Sequence, residues 1–411
     1  MVKQKPRVCF GLTLYNNAKY LPEALESLLN QTYSDFLLIA VDDCSSDGTE
    51  EIMRQYAARD KRIRYFRNET RTGMIATWRT AFYKAYEFRP DYFAWASDHD
   101  RWHADWLKYH VHTLNKYTEV VLAYPQTVPI SADGTRLPLE QPEPTDTYGL
   151  SKLDHLYQVC RHARGFGNMI YGLFRVEPLL KAGVFRYLTL PDRLAIIEIS
   201  AYGPIKHISQ ELWYRRYFDV PSYIDTLDAQ GGRLFGPSPV PFHAQFPFIA
   251  HTVSLALSLS LWPPDKDYSN FSTGLLMALL YWEAHKEKYI QKELDRLREI
   301  LAEKPGQAVN WSQSPQNVQR EAIYTATREI GVVTQSLLEQ HNIALGHFSE
   351  VHNILTLATM LFHYSNALGL DNITRQARVK QKWPSPTNSS LLVRARRRLR
   401  LAFSKLISHY S

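Results

Sequence analysis

The chain has 411 residues, of which 45% are hydrophobic and 22% charged, an ordinary globular composition that excludes a wholly disordered chain and a length that suggests about two or three domains. Its three cysteines, Cys9, Cys44 and Cys160, exclude a disulfide framework and a CxxC-type zinc site, and fit a reducing compartment. The net charge is +7, but Asn372–Ser411 holds ten Lys/Arg and no Asp/Glu, which leaves residues 1–371 at −3; basicity is a property of the tail, so no nucleic-acid partner is expected of the bulk.

The opening stretch MVKQKPRVCFGLTLYNN is interrupted by Gly11, Thr13 and Asn16 and reads as a first strand rather than a signal peptide. No run of about 18–20 uninterrupted apolar residues follows anywhere, so a spanning helix is not expected. The expected location is the cytoplasm, with peripheral attachment to the cytoplasmic face of a membrane as an added expectation from the tail.

In chain order, Arg7–Tyr15 reads as a buried strand. Leu21–Leu29 carries apolar residues at helical spacing with Pro22 in the first turn. Phe36–Val41 (FLLIAV) is a continuous apolar run, the pattern of a strand covered on both faces. Asp42–Gly48 is turn chemistry, Thr49–Ala58 a helix, Ile63–Phe66 a short strand, Ala76–Phe88 a helix and Asp91–Ser97 (DYFAWAS) a fourth strand. This alternation predicts a mostly parallel α/β sheet flanked by helices, whose ligands gather at the carboxyl ends of the strands. Residues 131–147 form a polar, proline-containing loop, Ser151–Arg161 a helix, Phe166–Phe174 a strand and Asp192–Tyr202 a helix. Residues 219–247 are rich in Pro and Gly and read as a wrapping or linking stretch. Helical patterns then dominate at 250–261, 273–302, 317–340 and 351–368. The expected layout is an α/β domain over 1–225, a connector over 226–250, an α-helical region over 251–390 and a basic amphipathic tail over 391–411.

Two acidic groupings carry the chemistry. Asp42-Asp43-Cys44-Ser45-Ser46-Asp47-Gly48-Thr49 follows a buried strand and precedes a helix. Helix capping accounts for Asp47 and Thr49, but two adjacent carboxylates at a strand end repel unless donors or cations face them, which makes Asp42 and Asp43 ligand candidates. Asp98-His99-Asp100 follows DYFAWAS; two carboxylates one residue apart can turn toward one hard divalent ion, Mg²⁺ or Mn²⁺, which completes its shell with phosphate oxygens. His99 either joins them or packs.

The segments GLTLYNNAKYLPEALESLLNQTYSDFLLIAVDDCSSDGT, NETRTGMIATWRTAF and WASDHDRWHADWL resemble the bacterial-type family 2 glycosyltransferases of the GT-A fold, a Rossmann-like mostly parallel sheet. The resemblance covers about residues 7–125 and runs on more weakly to about 217, through GNMIYGLFR and LPDRLAIIEISAYGPIKHISQELWYRR. It implies that the α/β domain is the glycosyltransferase domain and that a nucleoside-diphosphate sugar sits at the strand ends. It implies further that Thr13 and Tyr15 line the nucleotide pocket, that Asp42 and Asp43 contact base and ribose, that Arg71 and Gly73 approach the nucleotide, that Asp98 and Asp100 hold the metal with Asp98 also near the donor, that Asp192 is the base, and that Arg215 or Arg216 lies near the diphosphate. Cys44 stands where the family usually has Gly, Trp78 where Asn is common, and His99 in the middle of the D-x-D.

From the residues themselves, Asp192 could equally cap the helix that follows Pro191, and Glu198 is the alternative base. GFGNMIYG (165–172) fits neither glycine-rich phosphate signature and reads as backbone near the acceptor. Tyr171 and Trp213 are candidates for stacking on a sugar or for core packing. His103, His110 and His112 lack helical metal spacing and read as solvated or core histidines. The tail LLVRARRRLRLAFSKLISHY can lie on an anionic bilayer surface.

The expected function is metal-dependent, inverting transfer of a sugar from a nucleoside-diphosphate sugar to an acceptor hydroxyl, in cell-surface glycan or lipid-linked oligosaccharide synthesis, with a glycan or lipid-linked acceptor. The alternative is a catalytically silent glycan- or nucleotide-binding subunit that recruits a partner. Nucleotidyl transfer is disfavoured, because no glycine-rich basic loop near the N-terminus would hold a triphosphate.

Overall fold

A computed structural model of the chain describes residues 6–161, 165–218, 227–237, 246–261, 269–293 and 295–296. The expected helices at 317–340 and 351–368 and the basic tail lie outside the described residues. The chain divides into two compact units, Met1–Val240 and Pro241–Ser411.

The first unit opens with β1 (Val8–Leu14), α1 (Leu21–Leu29), β2 (Phe36–Asp42), α2 (Thr49–Arg59), β3 (Ile63–Arg67), α3 (Met74–Tyr86) and β4 (Tyr92–Ser97). It continues with β5 (Arg101–Trp102), α4 (Trp106–Lys116), β6 (Leu122–Ile130), α5 (Lys152–Arg161), α6 (Phe166–Met169), β7 (Leu173–Arg175), α7 (Val176–Lys181), α8 (Pro191–Ser200), β8 (Ile205–Arg216) and α9 (Leu227–Phe235). The eight strands form one sheet in the order β3-β2-β1-β4-β7-β6-β8-β5. β3, β2, β1 and β4 run parallel; β7 enters antiparallel between β4 and β6, and β6 and β8 are parallel again. The sheet is mixed and largely parallel, flanked by helices.

The central strands are apolar because both faces are covered. Every residue of β4 is buried. On one face Trp95 meets Phe174, Phe185 and Trp78 at ring separations of 5.4, 4.8 and 5.5 Å. On the other, Phe10 packs on Trp106 at 5.4 Å, beside α1, which buries Leu21, Ala24, Leu25 and Leu28. Trp78 belongs to this core, and so does Trp213, which is fully buried and stacked on Tyr171 at 4.7 Å. His110 is likewise a core residue: burial pushes its pKa down to about 3, against a partial offset from the Trp106 carbonyl.

Two expectations change. Phe166–Phe174 is not one strand: Gly165 turns into the left-handed region (φ 89°), Phe166–Met169 winds into the short helix α6, and only Leu173–Arg175 is extended. The expected link at 219–247 contains α9, which packs against α3. β6 and β8 are the additions that complete the sheet. β6 carries Pro125 and Pro129, residues that normally discourage a central strand; its pairing with β8 slips on either side of Gln126, so the ladder bends at a bulge and resumes.

In the second unit α10 (Pro247–Leu261) and α11 (Ser269–His285) pack together, and α11 runs into a π-helical turn, Lys286–Ile290. Phe248 stacks on Tyr289 at 4.3 Å and 3°, and His251 Nδ1 lies 3.0 Å from the Tyr281 hydroxyl. No described helix is long and apolar enough to cross a membrane.

Candidate active site

The parallel register levels the strand ends. Thr13 lies beside Val41 and Ser97, and Leu14 beside Asp42, which in turn faces Arg67. The loops leaving these strands are tied by backbone bonds: the Asp43 amide donates to the Leu14 carbonyl at 2.9 Å and the Asn68 amide to the Asp42 carbonyl at 2.8 Å. The four candidate aspartates of β2 and β4 therefore share one rim, and all are buried: Asp42 at 0%, Asp43 at 4%, Asp98 at 4% and Asp100 at 2% exposure.

Each of the four is satisfied differently. Asp42 takes bonds from the Ser45 amide (2.8 Å), the Ser45 hydroxyl (2.6 Å) and the Tyr65 hydroxyl (2.8 Å), with Arg67 Nε at 3.6 Å. Burial, and then the bond to Asp42, raise the Tyr65 pKa. Asp43 Oδ1 accepts from Asn68 Nδ2, the Thr72 amide and the Thr72 hydroxyl at 3.0, 2.7 and 2.7 Å, and Oδ2 accepts from the Gly73 amide at 2.8 Å. The repulsion expected of an adjacent Asp pair is thus met by donors on two separate loops.

Asp98 Oδ2 accepts from the Tyr15 amide at 2.9 Å and Oδ1 from Asn17 Nδ2 at 2.8 Å, with His99 Nδ1 at 2.7 Å. Burial opposes charge on His99, but the Asp98 bond and the nearby Asp100 charge outweigh it and raise its pKa. Asp100 accepts from the Ser97 hydroxyl at 2.5 Å and from the Arg216 amide at 2.8 Å. Asn17, Ser97 and Thr72 join the site as residues that no motif singled out. Asn17 is the second residue of an Asn pair after β1, and a short polar side chain at a strand end is the one signal that pointed to it.

Arg71 lays its guanidinium over the Tyr15 ring at 4.4 Å and donates to the Gly232 carbonyl at 2.9 Å. Tyr15 itself is exposed. Gly73 (φ 89°) meets α9 so closely that a Cβ would stand 2.3 Å from the Gly236 nitrogen. α9 thereby docks on the 71–73 loop, and the charge of Arg233 acts on both His99 and Tyr171. Arg233 was hidden in the stretch read as a connector.

The two arginines at the end of β8 part company. Arg216 has a side chain only 1% exposed and donates to the His99 carbonyl (2.7 Å), the Ala132 carbonyl (2.7 Å) and Glu23. It brackets the loop after β4. Arg215 is half-buried and donates from Nη1 to Asn168 Oδ1 at 2.8 Å.

Asp192 sits in the first turn of α8, but the cap position belongs to Leu190 in a left-handed conformation (φ 56°), so capping does not account for Asp192. A Cβ built on Gly167 would stand 3.7 Å from Asp192 Oδ2 and 3.5 Å from Arg215 Nη1. The side chains of Asp192 and Arg215 therefore flank one bare stretch of α6 backbone. Glu198, the alternative base, is fully buried, and Arg186 Nε donates to both its oxygens at 3.1 and 3.3 Å; that pairing does not suit a proton acceptor. Among the described residues no group of three His, Cys, Asp or Glu side chains could by itself hold a metal ion.

Residues 9–171 match the family described as "Glycosyl transferase family 2". The chain is 32% identical over 102 residues to the putative teichuronic acid biosynthesis glycosyltransferase TuaG of Bacillus subtilis (strain 168), a match covering 25% of this chain and 39% of that one. It is 40% identical over 73 residues to the putative glycosyltransferase EpsE of the same organism, covering 18% of this chain and 26% of that one. The chain thus spans well under two thirds of either relative. In fold it resembles S. aureus TarS 1–349, solved in complex with UDP-GlcNAc, with a TM-score of 0.51, 16% identity and coverage of 88% of this chain and 92% of that chain. At that identity the likeness is one of architecture.

Proposed function

We propose that this chain, whose residues 9–171 match glycosyl transferase family 2, is an inverting glycosyltransferase that moves a sugar from a nucleoside-diphosphate donor to an acceptor hydroxyl. The observation that carries the reading is the clustering of Asp43, Asp98 and Asp100, all buried, at the rim where β1, β2 and β4 end, next to loops pinned by backbone amides of Tyr15, Gly73 and Arg216. Open parallel sheets bind nucleotides at such a rim.

Thr13, Tyr15, Asp42, Asp43, Arg71 and Gly73 would shape the nucleotide end. Of these, Asp42 is enclosed by Ser45 and Tyr65, so its part is to hold the loop, while Tyr15 offers an exposed ring. Asp98 and Asp100 fit a hard divalent cation, Mn²⁺ or Mg²⁺: both are carboxylates, and on each side chain one oxygen accepts only a single backbone amide, leaving a lone pair for an ion that draws its other ligands from phosphate and water. Bound there, such an ion would neutralise charge on the departing diphosphate.

Asp192 takes the proton from the acceptor hydroxyl as that oxygen attacks the anomeric carbon. The bond from that carbon to the diphosphate oxygen breaks on the opposite face, so configuration inverts. Arg215 supplies a fixed positive charge to the diphosphate as it leaves; Arg216, spent on carbonyls and Glu23, positions the loop. A glycan or lipid-linked acceptor suits the reading, and the basic 391–411 sequence would suit attachment to the anionic cytoplasmic face of a membrane, in cell-surface glycan synthesis.

The test is donor hydrolysis or transfer by the purified chain with UDP-, GDP- and dTDP-sugars and Mn²⁺. Turnover that EDTA abolishes is the expected result. Nucleotide-sugar binding with no turnover across a broad acceptor panel would instead assign the chain as a silent binding subunit.

A further inference from the structure

Tyr171 follows the turn of α6, where its amide donates to the Asn168 carbonyl at 3.3 Å. The next residue, Gly172, lies so close to β6 that a Cβ there would stand 2.4 Å from the Ala123 carbonyl oxygen. The backbone that carries Tyr171 is therefore pinned on both sides. Its ring is stacked on Trp213 at 4.7 Å and meets Trp78 edge-on at 5.5 Å. The face on Trp213 is thus taken, which removes it as a platform for a sugar. The hydroxyl is a different matter: among the described residues, no group hydrogen-bonds it, although a tyrosine hydroxyl in such surroundings usually finds a partner.

The supports of this ring are also the supports of the site. Trp213 pairs across the β5–β8 ladder with Trp102, two residues beyond Asp100. Three residues further along β8, the Arg216 amide donates to Asp100 at 2.8 Å. The Arg215 guanidinium lies 5.9 Å from the Trp213 ring and donates to the Asn168 side chain. Tyr171 and Arg215 therefore share Trp213 and Asn168, and both stand beside Asp100. Burial raises the Tyr171 pKa, the charges of Asp100 and Asp98 add to it, and those of Arg215 and Arg233 oppose it. The hydroxyl accordingly keeps its proton at neutral pH, within reach of two carboxylates and two guanidinium groups.

We infer that Tyr171 is a catalytic residue whose hydroxyl donates a hydrogen bond to the diphosphate oxygen that departs from the anomeric carbon. The inference rests on the glycosyltransferase reading and adds a residue to it. In that reading the diphosphate spans Asp98 and Asp100 at one end and Arg215 at the other, the same groups whose charges act on Tyr171. As the bond to the anomeric carbon breaks, its electron pair becomes charge on the departing oxygen. The phenol keeps its proton, and its hydrogen bond strengthens as that charge grows. The contact is weak with the intact donor, where the oxygen is an ester, and strong with the transition state and the released diphosphate. It therefore raises the rate of the chemical step more than it tightens donor binding.

Tyr171→Phe removes the hydroxyl and keeps the ring on Trp213 and Trp78, so the variant should melt within a few degrees of the parent. Steady-state kinetics on the full chain with Mn²⁺ and UDP-, GDP- and dTDP-sugars then tests the inference. For the donor that the parent turns over, kcat should fall about tenfold or more in the variant, with the donor KM within about threefold. Calorimetry with the free UDP, GDP or dTDP and Mn²⁺ should show the affinity for the diphosphate product reduced about threefold or more. A kcat within about twofold of the parent, or a loss confined to KM, overturns the inference and leaves the transferase reading standing. If the parent binds a nucleoside diphosphate without turnover, equal affinity in the variant overturns the inference and weaker affinity supports the contact. A parent that neither turns over a donor nor binds a nucleoside diphosphate discards both.

Discussion

Asp98 Oδ2 accepts the backbone amide of Tyr15 at 2.9 Å, across 83 residues of chain. That bond ties the end of β4 to the end of β1, and the second Asp98 oxygen takes Asn17 from the same loop. One carboxylate thus fixes the loop that presents the Tyr15 ring to the rim.

Removing the neighbouring carboxylate separates chemistry from fold. Asp100→Asn keeps an oxygen for the Arg216 amide and turns an NH₂ toward Ser97, whose hydroxyl oxygen can accept it, but halves the anionic ligand set proposed for the cation. Turnover of a nucleotide sugar with Mn²⁺ should fall at least about 100-fold, a loss on the scale of a single electrostatic group, with the melting temperature within a few degrees of the parent. Asp100→Ala leaves both donors buried without an acceptor and should cost about 1–3 kcal/mol in addition. Unchanged turnover in Asp100→Asn would discard the metal mechanism.

The two arginines of β8 should behave oppositely. Arg215→Ala loses one bond to Asn168 and should leave stability within about 1 kcal/mol while lowering turnover by about 100-fold. Arg216→Ala strips the buried bracket over the His99 and Ala132 carbonyls and leaves Glu23 without that partner. It should destabilise by about 3 kcal/mol. Urea melts and steady-state rates on the two variants decide; equal effects on stability would contradict the assignment.

These two adjacent residues also mark where sequence reading stopped. The parallel half of the sheet was legible because FLLIAV and YFAWAS are continuous apolar runs, and a helix of known spacing follows each early strand. β8 was not: its side chains alternate irregularly, and its partner β6 holds two prolines and a bulge, so neither announces a strand. Without β8, Arg215 and Arg216 were equivalent basic positions. Only the strand's pleat, which turns one inward beneath the β4 loop and the other toward Asn168, distinguishes them. Arg233 was missed for a related reason, since the glycines of QGGRLFG signal a turn although the segment is helical as far as Phe235.

Cys44 adopts φ 65°, the left-handed region, at the position where the resembling family usually carries glycine. Such a backbone costs a residue with a Cβ about 1–2 kcal/mol, partly offset by the greater freedom glycine has in the unfolded chain. The thiol contributes one weak contact, to the Glu69 carbonyl at 3.5 Å. Cys44→Gly should therefore raise stability by about 0.5 kcal/mol, read as an increased urea midpoint at unchanged slope. A lowered midpoint would show that the thiol contact outweighs the backbone strain.

The second unit contains a carboxyl group whose titration should be visible in stability. Glu293 reaches back to the start of α10, accepting from the Phe248 amide at 3.1 Å and the Ile249 amide at 2.9 Å. Burial nonetheless pushes its pKa from the usual 4.5 up to about 7, against the lowering effect of those amides and Arg296. The folded carboxyl holds its proton up to about pH 7 while the unfolded one releases it near 4.5, so the folded state binds more protons across that window. Stability then falls as pH rises from 4.5 to 7, and the loss is complete above the folded pKa. Because the group is half-buried, the loss should be about 1–2 kcal/mol. Glu293→Gln removes the titration and keeps an acceptor for one of the two amides. Amide hydrogen exchange in α10, corrected for intrinsic rates at pH 5 and pH 8, should show protection that declines with pH in the parent and stays level in the variant. A parent whose α10 protection is the same at both pH values would refute the assignment.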